Sequence, residues 1–280
     1  MKKKSAVLLL LITGFIWSTG GFMIKIIPWS SFAIAGMRSG IAFLVIFLYD
    51  RPKSIKFGKY TIFGAFCYTI MVICFIIANK LTSAGNVILI QYAAPFYVAL
   101  FSFIFLGERP NKLDWLTIII LIGGLSLFFI DELSFNQLSG NFFGIISGFG
   151  FAGTILFLRK QKDVRPIDSI LLGNLFTFFI CFPFYNDGLT NEPIAWASIF
   201  YLGIVQLGFT YCLYSFAIKY VSALDAAIYP VIEPISSPIL AYFILGEIMT
   251  KNSLIGGSII IIIVMVRAFL QNKNLENIKN

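Results

Sequence analysis

Runs of about twenty apolar residues recur along the whole 280-residue chain, beginning with 6-AVLLLLITGFIWSTGGFMIKI-26. That length matches a hydrocarbon core of about 30 Å crossed at 1.5 Å per helical residue. Ten such runs are expected to span, at roughly 6–26, 31–49, 60–79, 84–106, 113–130, 140–158, 167–185, 195–217, 224–245 and 252–271. Only 12% of the residues are charged, where a soluble domain carries about a quarter. A soluble fold would have to bury many helices that are apolar all round, and the chain is too short to supply that interior. Closely spaced runs of this length also favour helices over barrel strands, which are shorter and alternate. The opening MKKKSAVLLLLITGF has the charged and apolar parts of a signal peptide. No small-residue cleavage site follows and Lys25 ends the run, so the expectation is an uncleaved first span.

The loops carry the orientation. With the N-terminus inside, the cytoplasmic segments hold Lys2, Lys3, Lys4, Arg51, Lys53, Lys56, Lys59, Arg109, Lys112, Arg159, Lys160, Lys162, Arg165, Lys219, Arg267, Lys273 and Lys279. The outer loops hold Lys25, Lys80 and Lys251. This asymmetry puts both termini of a multi-pass protein on the cytoplasmic side of the cell membrane. It also accounts for the net charge of +8. A nucleic-acid partner is not expected, because the basic residues are spread over separate loops instead of gathered on one face.

An internal repeat appears when the chain is shifted by 139 residues. Ala78, Lys80, Ser83, Ala84, Pro95, Leu106, Gly107, Glu108 and Lys112 then fall on Ala217, Lys219, Ser222, Ala223, Pro234, Leu245, Gly246, Glu247 and Lys251. Matched Lys, Pro and Gly-Glu at one offset are not an accident of apolar composition. The expected units are residues 1–135 and 136–272, five spans each, followed by a cytoplasmic tail at 273–280. Five is odd, so the second unit must sit inverted relative to the first. The loop charges agree: the link between spans two and three carries four basic residues and its counterpart at 186–194 carries none. Inverted halves can exchange shapes and open one midplane site to each side in turn, which favours transport over a static scaffold left by gene duplication.

The segments 80-KLTSAGNVILIQYAAPFYVALFSFIFLGERP-110 and 219-KYVSALDAAIYPVIEPISSPILAYFILGE-247, with 14-GFIWSTGG-21 and 36-GMRSGIAFL-44, resemble the drug/metabolite transporter superfamily, EamA type. The resemblance implies an all-α integral membrane protein of ten helices in two inverted five-helix repeats around a central cavity. That cavity would be lined mainly by spans one, three, four, six, eight and nine. It also implies secondary transport, commonly export, of amino acids or similar metabolites. The chain departs from the pattern at Ile262, where a glycine would match Gly123, and at Phe151-Ala152, where Trp-Ala is frequent.

Glu233 lies near the middle of span nine. A charge at that depth costs roughly 2.5–3.5 kcal/mol on insertion scales, so it is expected to face a cavity or a partner. It could bind a cationic or amino group, or take up a proton. Pro230, Pro234 and Pro238 repeat at four-residue spacing around it, and Pro95 is the first-half counterpart of Pro234. Each removes a backbone donor and frees a carbonyl one turn earlier, so helix breaks usable for gating are expected at matched depths. Arg38 is the other ionisable group expected to lie deep. It either compensates Glu233 or bonds helix-end carbonyls for structure. Trp17, Ser18, Asn86, Gln91, Tyr92, Tyr211, Tyr214 and Tyr229 could offer polar tips or ring faces to a bound metabolite. For the aromatics, ordinary packing or an interfacial belt competes with that role. Glycines in spans one and six read as close helix approach or as hinges, and Gly107-Glu108 and Gly246-Glu247 as helix stops.

The chain has no histidine, no CxxC pair among its four cysteines and no Walker motif. Neither a cofactor nor a metal is therefore expected, and ATP does not drive this chain directly. The expected partners are a small-molecule substrate, the lipid bilayer and a coupled proton or other ion. Two rivals stay open: a non-transporting membrane subunit or receptor of the same fold, and a lipid-modifying membrane enzyme. The enzyme would need an interfacial cluster of acidic, His or Ser groups, and none is found.

Overall fold

The computed structural model describes residues 3–51, 57–131, 137–185, 189–245 and 250–277. Gly246 and Glu247, expected as the second helix stop, lie outside the described residues, as do Lys2, Lys53, Lys56 and Lys279. The described residues are all helical, with no strand among them. The first half runs α1 (Lys3–Trp17), α2 (Gly20–Ile26), α3 (Ser31–Asp50), α4 (Lys59–Leu81), α5 (Ala84–Gln91), α6 (Ala94–Leu106) and α7 (Lys112–Phe128). The second runs α8 (Leu138–Lys160), α9 (Ile167–Cys181), α10 (Pro193–Tyr201), α11 (Thr210–Ala217), α12 (Ala223–Ile228), α13 (Ile232–Leu245) and α14 (Lys251–Asn277). Eight helical runs are long and apolar enough to cross a membrane. Two further expected spans coincide with α7 and with α12–α13. Helix α14 runs to Asn277, so most of the expected tail is helical.

Local sequence accounts for the ends. Ser30, Ser83 and Ser222 accept the backbone N–H groups of Ala33, Asn86 and Asp225 and start α3, α5 and α12. Asn111 and Asp114 form a reciprocal capping box at the start of α7. Gly107 ends α6 at φ +74°, a conformation open to glycine at little cost. Leu48, Ile104, Ile119, Phe142, Phe179 and Phe269 stand exposed on the outer faces, the apolar surface that a bilayer covers.

The packing comes in matched sets. Helix α4 packs on α8 and α9, while α11 packs on α1, and α3 packs on the segment joining α10 to α11. Helices α5 and α6 pack on α8, while α13 and the turn before it pack on α1. The pairs α3–α9, α6–α12 and α7–α14 complete the bundle. Each first helix thus lies across the broken helix of the other half. Glycine permits the closest of these contacts. A Cβ at Gly14 would stand 2.5 Å from the Pro230 carbonyl oxygen, and one at Gly148 3.3 Å from that of Ile90.

The interrupted helices show what happens to carbonyls freed by proline. Between α12 and α13 the chain makes a 3₁₀ turn over Tyr229–Val231. Pro230 has no N–H for the Ala226 carbonyl, which the Tyr214 hydroxyl serves instead at 3.0 Å. Pro234 likewise leaves the Pro230 carbonyl, and the Tyr92 hydroxyl stands 2.9 Å from it. The first half breaks at Tyr92–Ala93, just before Pro95 at the start of α6. A π-helical segment, Leu202–Phe209, joins α10 to α11, and the Thr210 hydroxyl donates to the Val205 carbonyl inside it at 2.7 Å.

One end of the bundle, at the start of α1 and the end of α3, is tied by charges. Arg267, 1% exposed, bonds Asp114 at 2.6 Å and Asp225 at 2.8 Å. Lys3 reaches the other oxygen of Asp225 at 2.8 Å. Glu108 accepts from Arg159 and from the Ala223 N–H, each at 2.8 Å. Arg165 pairs with both Asp50 and Asp168. Arg38 and Glu233, expected to lie deep, are not the only buried ionisable groups. Asp114, Asp168, Asp225 and Arg267 are buried too, because neighbouring helix ends cover them.

Two stability outcomes follow from this packing. Gly14→Ala should lower the detergent melting temperature, since a misfitted methyl costs roughly 1–3 kcal/mol. Gly123→Ala should not, because nothing lies within 4 Å of its added carbon. Tyr214→Phe should cost about 1–3 kcal/mol in reversible unfolding by leaving the Ala226 carbonyl unserved. In a Pro230→Ala background, which restores the missing N–H, the same change should be nearly silent.

Candidate functional site

At the level of the two helix breaks lies a narrow cavity of about 40 Å³. Its wall is formed by Trp17 of α1, Arg38 of α3, Met71, Val72 and Phe75 of α4, Gln91 of α5 and Phe151 of α8, with Gln206, Leu207, Tyr211 and Glu233. Spans one, three, four, six, eight and nine all contribute, and span two adds Arg38. Both ionisable groups on its wall are buried: Arg38 is 2% and Glu233 7% exposed.

The two charges do not pair. Arg38 donates from one Nη to the Gln206 side-chain oxygen at 3.4 Å, and its Nε has no hydrogen-bond partner. Glu233 contacts the Tyr92 hydroxyl at 2.6 Å. Neither a direct Arg38–Glu233 bridge nor an Arg38 bond to helix-end carbonyls is present among the described residues. The reason is placement: the π segment puts Gln206 beside Arg38, and the first-half break puts Tyr92 beside Glu233. Gly20 makes room for Gln206, since a Cβ there would sit 2.5 Å from its amide nitrogen. The site therefore offers one cationic and one anionic group, each with a single neutral neighbour.

Aromatic rings form the floor. Trp17 meets Phe151 edge-on at 5.8 Å and lies 5.1 Å from Tyr211 and 5.5 Å from Tyr214. Gln91 donates to Ser147 at 2.8 Å, and Ser147 donates to the Met71 carbonyl at 3.0 Å. The Tyr211 hydroxyl turns to the Met71 sulfur at 3.8 Å.

Among the residues expected from sequence, Trp17, Arg38, Gln91, Tyr211 and Glu233 meet on the cavity wall. Tyr92 and Tyr214 stand just behind it, their hydroxyls engaged with the proline-freed carbonyls. Two others are elsewhere. Asn86 is near the start of α5, bonded to Thr82 and Asn141. Tyr229 faces an apolar cleft with Val7, Leu11 and Ile260 between α1, α13 and α14. Ser18 turns back on the Phe15 carbonyl at 2.6 Å. Of the breaking residues, Pro95, Pro230 and Pro234 flank the two interruptions, and Pro238 lies within α13. Gln206 was not anticipated. Its signal was a lone amide in 202-LGIVQLGF-209, an otherwise apolar run.

A larger cleft of about 400 Å³ opens at the charge-tied end, beside Asp50, Arg165 and Lys219. Its arginine is already engaged by two carboxylates. No group of three or more His, Cys, Asp or Glu side chains suited to a metal occurs among the described residues.

The EamA-like transporter family model matches residues 4–130 and again 138–268. An uncharacterized transporter of Archaeoglobus fulgidus is 27% identical over 276 residues, covering 94% of this chain and 93% of that protein. The uncharacterized transporter YwfM of Bacillus subtilis is 23% identical, covering 91% of each. The pseudopaline exporter CntI of Pseudomonas aeruginosa is 24% identical over 73% of this chain and 75% of its own. A solved crystal structure superposes with a TM-score of 0.81 over 98% of this chain and 99% of its own, at 16% identity, which is a likeness of fold. With its apolar helices and a match over nearly the whole length, the chain is a multi-pass membrane transporter and belongs to the EamA-like transporter family.

Proposed function

We propose that the chain is a secondary transporter that exports a small zwitterionic metabolite, an amino acid or related compound, across the cell membrane by alternating access. The observation that carries this reading is the pair of opposite, mutually unbridged charges on one enclosed wall, Arg38 and Glu233. A carboxylate can take the free Nε–H and Nη–H groups of a guanidinium, and an ammonium can take the Glu233 carboxylate. Trp17, Phe151 and Tyr211 supply the apolar and aromatic surface between them.

Two inverted five-helix repeats, at 1–135 and 136–272, would supply the mechanics. The reading is supported by the double family match and by the 139-residue repeat. Packing pairs that exchange when the halves are exchanged support it as well. Ten spans with both termini cytoplasmic agree with the loop charges. The Pro95 and Pro230–Pro234 breaks would be the points at which the halves flex. Export, as opposed to import, rests on the relative named as an exporter.

The test is counterflow into liposomes holding the purified protein, with radiolabelled amino acids chosen by a thermal-shift screen. Wild type should accumulate label. Arg38→Gln should weaken apparent affinity about ten- to a hundredfold for compounds with a carboxylate and spare amines without one. Glu233→Gln should do the converse, weakening the amines. Absence of counterflow across the panel, or both variants matching wild type, would reject the reading.

A further inference from the structure

Arg38 differs from the other buried or half-buried arginines in what it meets. Arg159, Arg165 and Arg267 each pair with at least one carboxylate. Arg38 meets the side-chain oxygen of Gln206 instead, on the cavity wall. A guanidinium can only donate, so the amide has to turn its oxygen to Arg38 and its NH2 group away. That NH2 group lies against Gly20, where an added Cβ would stand 2.5 Å from the nitrogen.

The backbone is arranged for this contact. Gly203, on the same π segment as Gln206, lets that segment come down on α3. A Cβ there would stand 2.9 Å from the Arg38 carbonyl oxygen. Two phenols near Arg38 look elsewhere: the Tyr68 hydroxyl donates to Asn174 at 3.2 Å, and that of Tyr211 turns to the Met71 sulfur at 3.8 Å. The guanidinium is thus steadied by one neutral oxygen, and its Nε–H is left without a partner among the described residues.

We infer that Gln206 is a specificity-determining residue of the cavity: it holds the Arg38 guanidinium in place without neutralising it, and so reserves that charge for a substrate carboxylate. The inference deepens the transport reading above and rests on it for the substrate's class. The chemistry turns on one group. A glutamate at this position has nearly the same shape, but its second oxygen and its charge would engage Arg38 in charge-assisted bonds and close the site to an anion. An apolar side chain would leave one more buried N–H unserved. The amide supplies the oxygen and keeps the charge available. Gly20 and Gly203 are its positioning residues, one making room for the side chain and the other for the segment that carries it.

Thermal-shift titration of the purified full chain tests this with small amino acids, each beside the amine it becomes without its carboxylate. The pairs are glycine and methylamine, alanine and ethylamine, and serine and ethanolamine. Wild type should bind the amino acid of at least one pair more tightly than its amine. Gln206→Glu should cut that preference ten- to a hundredfold. Gly20→Ala, which displaces the amide and leaves both charges in place, should cut it severalfold, and it decides the matter alone if Gln206→Glu does not fold. Without any ligand, Gln206→Glu should raise the melting temperature by about 2–4 °C. In an Arg38→Gln background it should lower it, since the new carboxylate then has no cation.

A preference unchanged in the variants would overturn the proposal. So would an equal loss of amino acid and amine, which is what a merely structural role predicts, or melting shifts of one sign in both backgrounds. A wild type that prefers no amino acid to its amine would overturn it too. Counterflow of the same radiolabelled amino acids in liposomes separates the two readings. A preference lost in the variants without counterflow in wild type rejects transport and leaves the role of Gln206 standing; counterflow with the preference intact in the variants does the reverse.

Discussion

A backbone carbonyl in hydrocarbon has no water to bond, so each one that proline frees has to be answered by another group. That constraint organises the centre of this protein. Pro230 and Pro234 each free a carbonyl on the same short stretch, and tyrosines from two other helices answer them. Tyr214 and Tyr92 are therefore parts of the backbone's hydrogen bonding as much as of the cavity. The break they support also puts Glu233 in the first turn of α13. The positions of the prolines, the two tyrosines and the carboxyl are one arrangement, and none can move without unsettling the others.

Charge is distributed unevenly along the bundle. At the level of the two helix breaks the cavity wall carries one basic and one acidic side chain, each bonded to one neutral partner. At the end of α1's N-terminus there are three ionic clusters, and one of them joins α1, α7, α12 and α14 through Arg267. Buried ion pairs add little net stability against an apolar alternative, yet breaking one by removing a partner costs about 3–5 kcal/mol. Such pairs fix which helices meet. The opposite end is held by weaker contacts, such as Trp29 to Thr190 at 3.1 Å and Lys80 to the Ile27 carbonyl at 2.6 Å. In the alternating-access reading proposed above, motion between the halves has to part this ionic end.

Much of the fold was legible in the chain because membrane length is a strict measure. The helices fall where apolar runs of the right length fall, and their interruptions fall at Pro95, Pro230 and Pro234 because proline removes a donor wherever it stands. Glu233 and Arg38 were legible for the same reason: charge at that depth is costly unless something receives it. What failed to read depended on partners from distant segments. Asn86 is polar within an apolar run, yet it lies one turn into α5 and bonds Thr82 and Asn141. Asp225 and Arg267 are near span ends, and their burial depends on neighbouring helices that cover them. Gln206 depended on a π segment, which leaves no proline or glycine rule in the sequence. The repeat told where the halves correspond but not that each first helix crosses the broken helix of the other.

Arg38 shows why such a cavity is kept at all. Its guanidinium is buried, its Nε has no partner among the described residues, and its hydrogen bond to Gln206 is long at 3.4 Å. A donor left unserved at that depth costs stability. A second carboxylate beside it, such as those that neutralise Arg267, would remove the cost and with it any reason for an anion to enter. The same holds for Glu233, which has a phenol beside it in place of a cation. Leaving both ions incompletely satisfied trades folding stability for recognition, a familiar exchange at functional sites. In the transport reading proposed above, the partner that completes both at once brings an anion and a cation on one small body.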